Sequence, residues 1–309
     1  MTPTHVLPIL ALSALSALIL AGCAGAGDDS ASDGRLQVVA STDVYGQIID
    51  EIGGDAVDVT SIITSAAQDP HSFEPTAQDQ LAVSRADLII ENGGGYDSFM
   101  ASLVRASDAS ARVVTAAEFS PDWPGEERAD PDRIGDFNEH VWYDPHTVED
   151  AAEAIAEELS RLDPANTETF QTNAAAFLSQ IGTLQSSLAE IEASDAGAEV
   201  FATEPVPVYL IRAAGLANVT PEAFGEAVEE GQDVPPATLL ESLDLIASGA
   251  VRAVIVNSQT GGAETLQVIE AAEAREIPVL EFSETLPEGQ TYLSWMQQNI
   301  DALSGALAR

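Results

Sequence analysis

The chain has 309 residues, of which 51 are acidic and 11 are basic, so its formal net charge is −40 at pH 7. Every basic residue is an arginine, because the sequence contains no lysine. A surface this acidic repels phosphate backbones, which excludes nucleic acid as a partner. The ordinary interpretation of the acidity is a solvated surface, and the alternative is that it gathers cations.

The amino terminus has the composition of an export signal. Residues 7–20 are apolar and uncharged, but about fourteen residues are too few for a membrane-spanning helix, which needs roughly twenty. We therefore predict a signal peptide over 1–22. It ends at Leu20-Ala21-Gly22-Cys23, which resembles the lipobox of bacterial lipoproteins. This resemblance predicts a lipidated Cys23, a flexible linker over 23–34, and a protein anchored to the cell membrane that faces outside the cytoplasm.

Cys23 is the only cysteine of the chain. If it is acylated, the mature protein has no free thiol, which excludes both a disulfide framework and a thiolate metal site. Any metal ligands must then be histidine, aspartate or glutamate.

Two α/β halves are predicted after the linker. In each half, short β-rich apolar runs alternate with helical patterns, which is typical of βαβ units and a parallel sheet. Between the halves lie two long helical stretches with no strand between them. We therefore predict a lobe at 35–163, a connecting helix at 164–193 and a second lobe at 194–309. The predicted strands are 35–40, 57–63, 87–91, 112–116, 199–202, 252–256 and 277–281.

Two histidines and two glutamates follow this pattern of strands and loops. His71 and His140 lie in turn-rich segments of the first half, and Glu204 and Glu284 follow predicted strands of the second half. In an open α/β sheet, ligands bind in the crevice beyond the carboxyl ends of the strands. Taken singly, each residue also fits an ordinary role, as a surface or core histidine or as an exposed acid. Taken together, they form a candidate site for a divalent metal ion between the halves.

Several motifs around these residues resemble the metal-binding receptors of bacterial ABC importers for zinc and manganese, the cluster A-I family. The most specific pieces are Asp69-Pro-His-Ser-Phe-Glu-Pro-Thr76, Glu139-His-Val-Trp-Tyr-Asp-Pro145 and Thr203-Glu-Pro205. The resemblance implies two Rossmann-like lobes joined by a rigid helix, with a metal ion bound in the cleft between them. The ligands that it implies are His71, His140, Glu204 and Glu284. It also implies that two acids hold the ligating imidazoles in the correct tautomer, namely Glu74 and Asp144.

The same resemblance implies a function. The protein would be the extracytoplasmic substrate-binding lipoprotein of an ABC importer, a monomer that delivers one divalent transition-metal ion to a membrane permease. Glu284 stands where relatives usually carry aspartate, and 121–137 lacks the histidine-rich loop of many zinc-specific relatives. A mixed set of imidazoles and carboxylates favours Mn²⁺ or Fe²⁺, although Zn²⁺ binds a given site more tightly than Mn²⁺.

Two other classes of function stay open at this point, a secreted mononuclear metalloenzyme and a host-matrix adhesin. A hydrolytic metal site keeps an open coordination position with a nearby general base. The sequence has neither a His-Glu-x-x-His helix nor a Gly-x-Ser-x-Gly elbow, so we expect no enzymatic activity. Neither a repeat nor an exposed aromatic stripe in the sequence argues for adhesion.

Overall fold

The structure is a computed structural model that describes residues 34–107, 110–125 and 137–309. The predicted signal peptide, Cys23 and the predicted linker up to residue 33 lie outside the described residues. Residues 35–309 form one compact unit. Within the part that the structure describes, no helix is both long and apolar enough to cross a membrane.

The amino-terminal lobe is built on a four-stranded parallel sheet. Its elements are β1 (Leu36–Thr42), α1 (Asp43–Gly53), β2 (Val57–Ile63), α2 (Ala77–Arg85), β3 (Leu88–Glu91), α3 (Ser98–Ser107) and β4 (Arg112–Thr115). The strand order is β2-β1-β3-β4. The central strands are continuous apolar runs, since a parallel sheet is covered on both faces. Val38, Val39 and Ala40 of β1 are accordingly all buried.

Two long helices follow this lobe, α4 (Pro145–Leu162) and α5 (Thr167–Asp195). Asp144 begins α4, where its carboxylate accepts a hydrogen bond from the backbone N–H of His146, as an N-cap residue does. With 29 residues, α5 spans about 44 Å at a rise of about 1.5 Å per residue. Its buried residues recur every three or four positions and form one stripe against the core. They are Phe170, Ala174, Phe177, Ile181, Leu184, Leu188 and Ile191.

The carboxy-terminal lobe contains a second four-stranded parallel sheet. Its elements are β5 (Glu199–Ala202), α6 (Val208–Ala213), β6 (Ala217–Asn218), α7 (Glu222–Glu229), α8 (Pro236–Ser248), β7 (Val251–Asn257), α9 (Ala263–Glu273), β8 (Val279–Phe282) and α10 (Tyr292–Leu307). The strand order is β6-β5-β7-β8. Because all strands of a parallel sheet point the same way, the loops that leave their carboxyl ends share one edge.

Aromatic contacts hold the two lobes together. The Tyr143 ring stacks on Phe282 with 6.1 Å between centroids, and its hydroxyl donates to the carbonyl of Ser283 at 2.7 Å. Tyr292, at the start of α10, donates its hydroxyl to the carbonyl of Trp142 at 2.8 Å. A single core cluster contains side chains of both lobes and of α5. The segment that follows His140 is therefore fixed between the lobes.

The predicted fold class is confirmed, with two parallel sheets and a long helix between them. All seven predicted strands are present, with ends that differ by at most two residues from the prediction. Among the strands and α-helices given above, β6 and α7 were not predicted. The two residues of β6 and the eight residues of α7 are too few to show a periodic pattern in the sequence. The lobe boundaries at residues 163 and 193 stay a prediction.

Candidate metal site

The candidate site lies where loops from the carboxyl ends of both sheets meet. His71 follows β2, Glu284 follows β8, and His140 lies in the segment before α4. Ligand atoms of these three residues all lie within 4.8 Å of one another. Two donor atoms bound to one ion at about 2.1 Å are about 3.0 to 4.2 Å apart, depending on the bond angle. Movements of less than about 1 Å would therefore bring all three donors onto one ion.

His71 is held at the mouth of the site by a tight turn. It lies in the single-turn helix Pro70–Ser72, and its backbone N–H donates to the Asp69 carboxylate at 2.9 Å. The hydroxyl of Ser72 donates to the same carboxylate at 2.7 Å. The His71 side chain is 35% exposed. His71 is therefore the ligand that an incoming ion can reach from solvent.

Tyr96 packs against both imidazoles, with ring centroids 5.2 Å from His71 and 5.9 Å from His140. It is placed there by the turn at 93–95, in which all three glycines have positive φ. A Cβ atom on Gly93 would lie 2.3 Å from the side chain of Thr115. Only glycine fits this turn, since other residues are strained at positive φ and would also clash.

His140 is buried, and Asn138 determines its tautomer. The Nδ1 atom of His140 lies 2.8 Å from the side-chain oxygen of Asn138, which also accepts the backbone N–H of His140 at 3.1 Å. Because an amide oxygen only accepts, Nδ1 carries the proton and Nε2 keeps a lone pair for a metal ion. The amide nitrogen of Asn138 donates to the carbonyl of Pro205 at 3.0 Å. The imidazole is thus oriented by a residue that also bonds to the other lobe.

Glu204 and Glu284 are both buried and share one hydrogen-bond donor. Asn257, the last residue of β7, donates to Glu204 at 2.9 Å and to Glu284 at 2.6 Å. The other oxygen of Glu204 accepts the hydroxyl of Thr260. The Gln259 side chain accepts the backbone N–H of Glu284 at 2.6 Å. Glu204 is therefore held beside the site, although it is not among the three residues whose ligand atoms lie within 4.8 Å of one another.

Two further acids lie close to the histidines, and neither was predicted as a ligand. Glu139 Oε1 lies 3.8 Å from Nε2 of His71, and Glu229 Oε1 lies 3.8 Å from Nε2 of His140. His71, Glu139 and Glu229 form a second group whose ligand atoms lie within 4.8 Å of one another. Because Glu139 is the residue directly before His140, its position in the sequence could have indicated that it lies near the site. Glu229 has no comparable signal, because acids are common throughout this chain.

Burial sets the protonation states of these groups. Burial, with the nearby His71, lowers the pKa of His140 to about 3, so its imidazole is neutral at physiological pH. Burial raises the pKa of Glu284 to about 7, and repulsion by Glu204 adds to this rise. Burial and the surrounding carboxylates raise the pKa of Glu229 to about 9. Metal binding therefore requires acids of the site, rather than His140, to release protons.

Glu74 and Asp144 were predicted to orient the imidazoles. Glu74 is exposed. The Asp144 carboxylate accepts the backbone N–H of His146 at 3.1 Å and the hydroxyl of Thr147 at 2.8 Å, as the cap of α4. The partner of Nδ1 in His140 is instead Asn138. The role predicted for the two acids stays a prediction.

A cavity of about 250 Å³ opens between the site and α7. Glu222, Glu226 and Glu229 lie three or four residues apart, so they share one face of α7. The opposite wall includes Asn138, Glu139 and Glu204. At about 30 Å³ per water, this volume accommodates a hydrated ion.

Comparison with known proteins places the chain in a family. A family profile described as the periplasmic component A of a zinc-uptake complex matches residues 38–306. The manganese ABC transporter substrate-binding lipoprotein PsaA of Streptococcus pneumoniae is 26% identical over 309 residues, which cover 96% of each chain. The manganese-binding lipoprotein MntA of Halalkalibacterium halodurans is 31% identical over 170 residues, which are 55% of this chain and 54% of that protein.

The periplasmic zinc-binding protein TroA from Treponema pallidum has the same fold. Its TM-score is 0.72 at 23% sequence identity, and the match covers 89% of this chain and 100% of that chain. The resemblance noted in the sequence is thus confirmed over nearly all of the predicted lobes. The protein belongs to the family of the periplasmic zinc-uptake component A, whose members are metal-binding transport receptors rather than enzymes.

Proposed function

We propose that the protein is the extracytoplasmic substrate-binding component of an ABC importer. It captures one divalent transition-metal ion between its lobes and delivers that ion to a membrane permease. The observation that carries this proposal is the group formed by His71, His140 and Glu284, whose ligand atoms lie within 4.8 Å of one another. Neutral imidazoles and carboxylates are the donors that first-row divalent ions take in proteins. The relatives named above are lipoproteins and transporter components for such ions.

Glu204 completes the proposed ligand set as its fourth member. Its carboxylate is buried and shares the Asn257 donor with Glu284. Burial, and to a smaller extent repulsion by Glu204, raises the pKa of Glu284 in the metal-free protein, and a dication that attracts both carboxylates offsets both effects. Ion binding therefore draws Glu204 from its present hydrogen bonds toward the ion.

The cargo that we propose is Mn²⁺. The proposed donor set combines two imidazoles with two carboxylates, and carboxylates suit manganese. Zn²⁺ binds a given set of donors more tightly than Mn²⁺, so it competes in solution. Fe²⁺ fits the same mixed set and is the second candidate.

The alternatives raised by the sequence have less support. A metalloenzyme needs an open coordination position for water or substrate, whereas ligands from both lobes would enclose the ion here. The family of the chain consists of transport receptors. The part of the surface that the structure describes has no feature that identifies a host-matrix partner, so it does not support adhesion.

We also propose that the protein is attached to the membrane through Cys23, at the end of the segment that resembles a lipobox. Acylation of Cys23 would hold the receptor at the outer face of the membrane beside its permease, acting as a monomer. A Cys23→Ser variant should be released into the medium or periplasm, whereas the wild-type protein should fractionate with membranes. Fractionation of both forms with membranes would contradict the proposed anchor.

Metal titration of the demetallated protein tests the proposed function. The wild-type protein should bind one Mn²⁺ or one Zn²⁺ tightly, and His140→Ala should lose at least about a hundredfold in affinity. His146→Ala is the matched control, because His146 is 73% exposed and lies on α4. Equal affinities in the two variants, or no tight binding in the wild-type protein, would overturn the proposal.

A further inference from the structure

Two groups of possible ligands overlap in this site. The inner group contains His71, His140 and Glu284, and the outer group contains His71, Glu139 and Glu229. His71 belongs to both groups, and it is the most exposed of the ligands. Because one imidazole nitrogen binds one ion at a time, a given nitrogen of His71 can serve only one of the two groups at any moment.

The two acids of the outer group face the cavity beside α7. Glu139 and Glu229 line this cavity together with Glu204, whereas His71, His140 and Glu284 are not among its lining residues. An ion that arrives through the cavity therefore meets the outer acids before it meets the buried His140.

Glu229 has an oxygen that lacks a partner. Its Oε1 atom is buried and makes no hydrogen bond in the part of the chain that the structure describes. The same atom lies 3.8 Å from Nε2 of His140, the nitrogen that Asn138 leaves unprotonated. A buried polar atom without a partner is costly, and a cation bound between Glu229 and the imidazoles would satisfy it.

We propose that Glu229 and Glu139, with His71, form an outer cation position that receives the cargo ion before it moves to the inner ligands. This proposal rests on the proposed function, because the inner group is its end point. The 3.8 Å separations of Glu229 from His140 and of Glu139 from His71 lie within the range for two donors on one ion. The ion thus exchanges one ligand at a time while His71 stays bound.

A stepwise exchange lowers the cost of dehydration. A hydrated cation that enters the inner group directly must lose most of its waters before it gains protein ligands. In the outer position, two carboxylates and one imidazole replace some waters while the open cavity leaves others in place. We therefore expect the outer acids to act mainly on the association rate constant.

Stopped-flow association of Mn²⁺, and separately of Zn²⁺, tests the proposal. The ring of Trp142 lies 5.2 Å from that of His140, so tryptophan fluorescence reports on the inner group. The variants are Glu229→Gln and Glu139→Gln, with Glu226→Gln as the matched control, because Glu226 lines the same cavity but belongs to neither group of ligands. In about 1 M salt, where the Debye length is about 3 Å, general attraction by surface acids is screened.

Both test variants should associate at least about threefold more slowly than Glu226→Gln in high salt. Association rate constants within threefold of that control would overturn the outer position. Faster dissociation alone would not support it, because a residue that only completes the inner group acts on the dissociation rate constant. Circular dichroism of each metal-free variant checks that the fold is retained. If the wild-type protein binds neither metal, the proposed function fails as well, so the two failures are distinguishable.

A crystal of Glu284→Ala soaked in Mn²⁺ gives a second test that does not depend on rates. The inner group is incomplete in this variant, whereas the outer group is intact. Anomalous scattering should place Mn²⁺ between His71, Glu139 and Glu229. An ion on His140 without contact to Glu229, or no ion at all, would overturn the proposal.

Discussion

Replacing Asn138 by alanine tests how the tautomer of His140 controls metal binding. The substitution removes the oxygen that accepts both N–H groups of His140 and the amide that donates to Pro205. Of these three bonds, those to the imidazole and to Pro205 orient the ligand. A hydrogen bond contributes about 0.5 to 1.5 kcal/mol, so the loss of these two costs about 1 to 3 kcal/mol. At about 1.4 kcal/mol per tenfold, we expect affinity to fall by about 10-fold to 100-fold, the range known for residues that orient a ligating imidazole.

Isothermal titration with Mn²⁺ against a competing chelator measures this effect. Asn173→Ala is the matched control, because the Asn173 amide also donates to a backbone carbonyl, that of Ile52 at 3.1 Å, away from the site. Asn138→Asp keeps an acceptor for Nδ1 but loses the bond to Pro205, so its affinity should fall by only about 2-fold to 10-fold. Wild-type affinity in Asn138→Ala, or an equal loss in Asn173→Ala, would refute the reasoning.

Three more predictions follow from the acids of the site. In about 1 M salt, Glu284→Ala should lose at least about a hundredfold in metal affinity. The control Glu281→Ala removes an exposed acid of β8 and should stay within about twofold of wild-type affinity. Equal losses in the two variants would mean that binding is only electrostatic. Metal affinity should fall as the pH is lowered from about 8 to about 5, because Glu284 has a pKa of about 7 and must lose its proton to bind the ion. His140 has a pKa of about 3 and is already neutral in this range. Metal titrations that show no pH dependence would contradict this prediction. The pKa of Glu284 is higher in the folded protein than its ordinary value of 4.5, so its contribution to the stability of the metal-free protein should be present below pH 4.5 and lost as the pH rises through about 7. The melting temperature of Glu284→Gln should therefore depend less on pH than that of the wild-type protein. An equal pH dependence in the two proteins would contradict the raised pKa of Glu284.

The histidines show what a sequence pattern can predict about this site. His71 and His140 were selected because each leaves a regular segment in a turn-rich stretch, and the structure places both in one site with Glu284. Glu204 was selected in the same way, but its carboxylate is occupied by Asn257 and Thr260. The sequence thus located the loops that carry the ligands. The position of each side chain within the site depends on hydrogen bonds that no local pattern reveals.

The residues that support the ligands were harder to predict. Asn138 lies two residues before His140, a spacing at which asparagine commonly bonds to a nearby backbone N–H. Its amide also bonds to Pro205, 67 residues away along the chain. Asn257 joins Glu204 to Glu284 across separations of 53 and 27 residues. Such contacts depend on strand order, which the sequence did not determine.

The sequence by itself determined the alternation of strands and helices, the long helix between the lobes, and the loops that carry the ligands. These features depend on local periodicity, because a buried parallel strand requires a continuous apolar run and a packed helix requires a repeat of three and four. Only the tertiary structure decided which strands are neighbours, which tautomer His140 adopts and that Glu229 reaches it from α7. Those outcomes depend on packing between residues that are distant in the chain, and the free energy of such contacts is set only when the lobes have folded against each other.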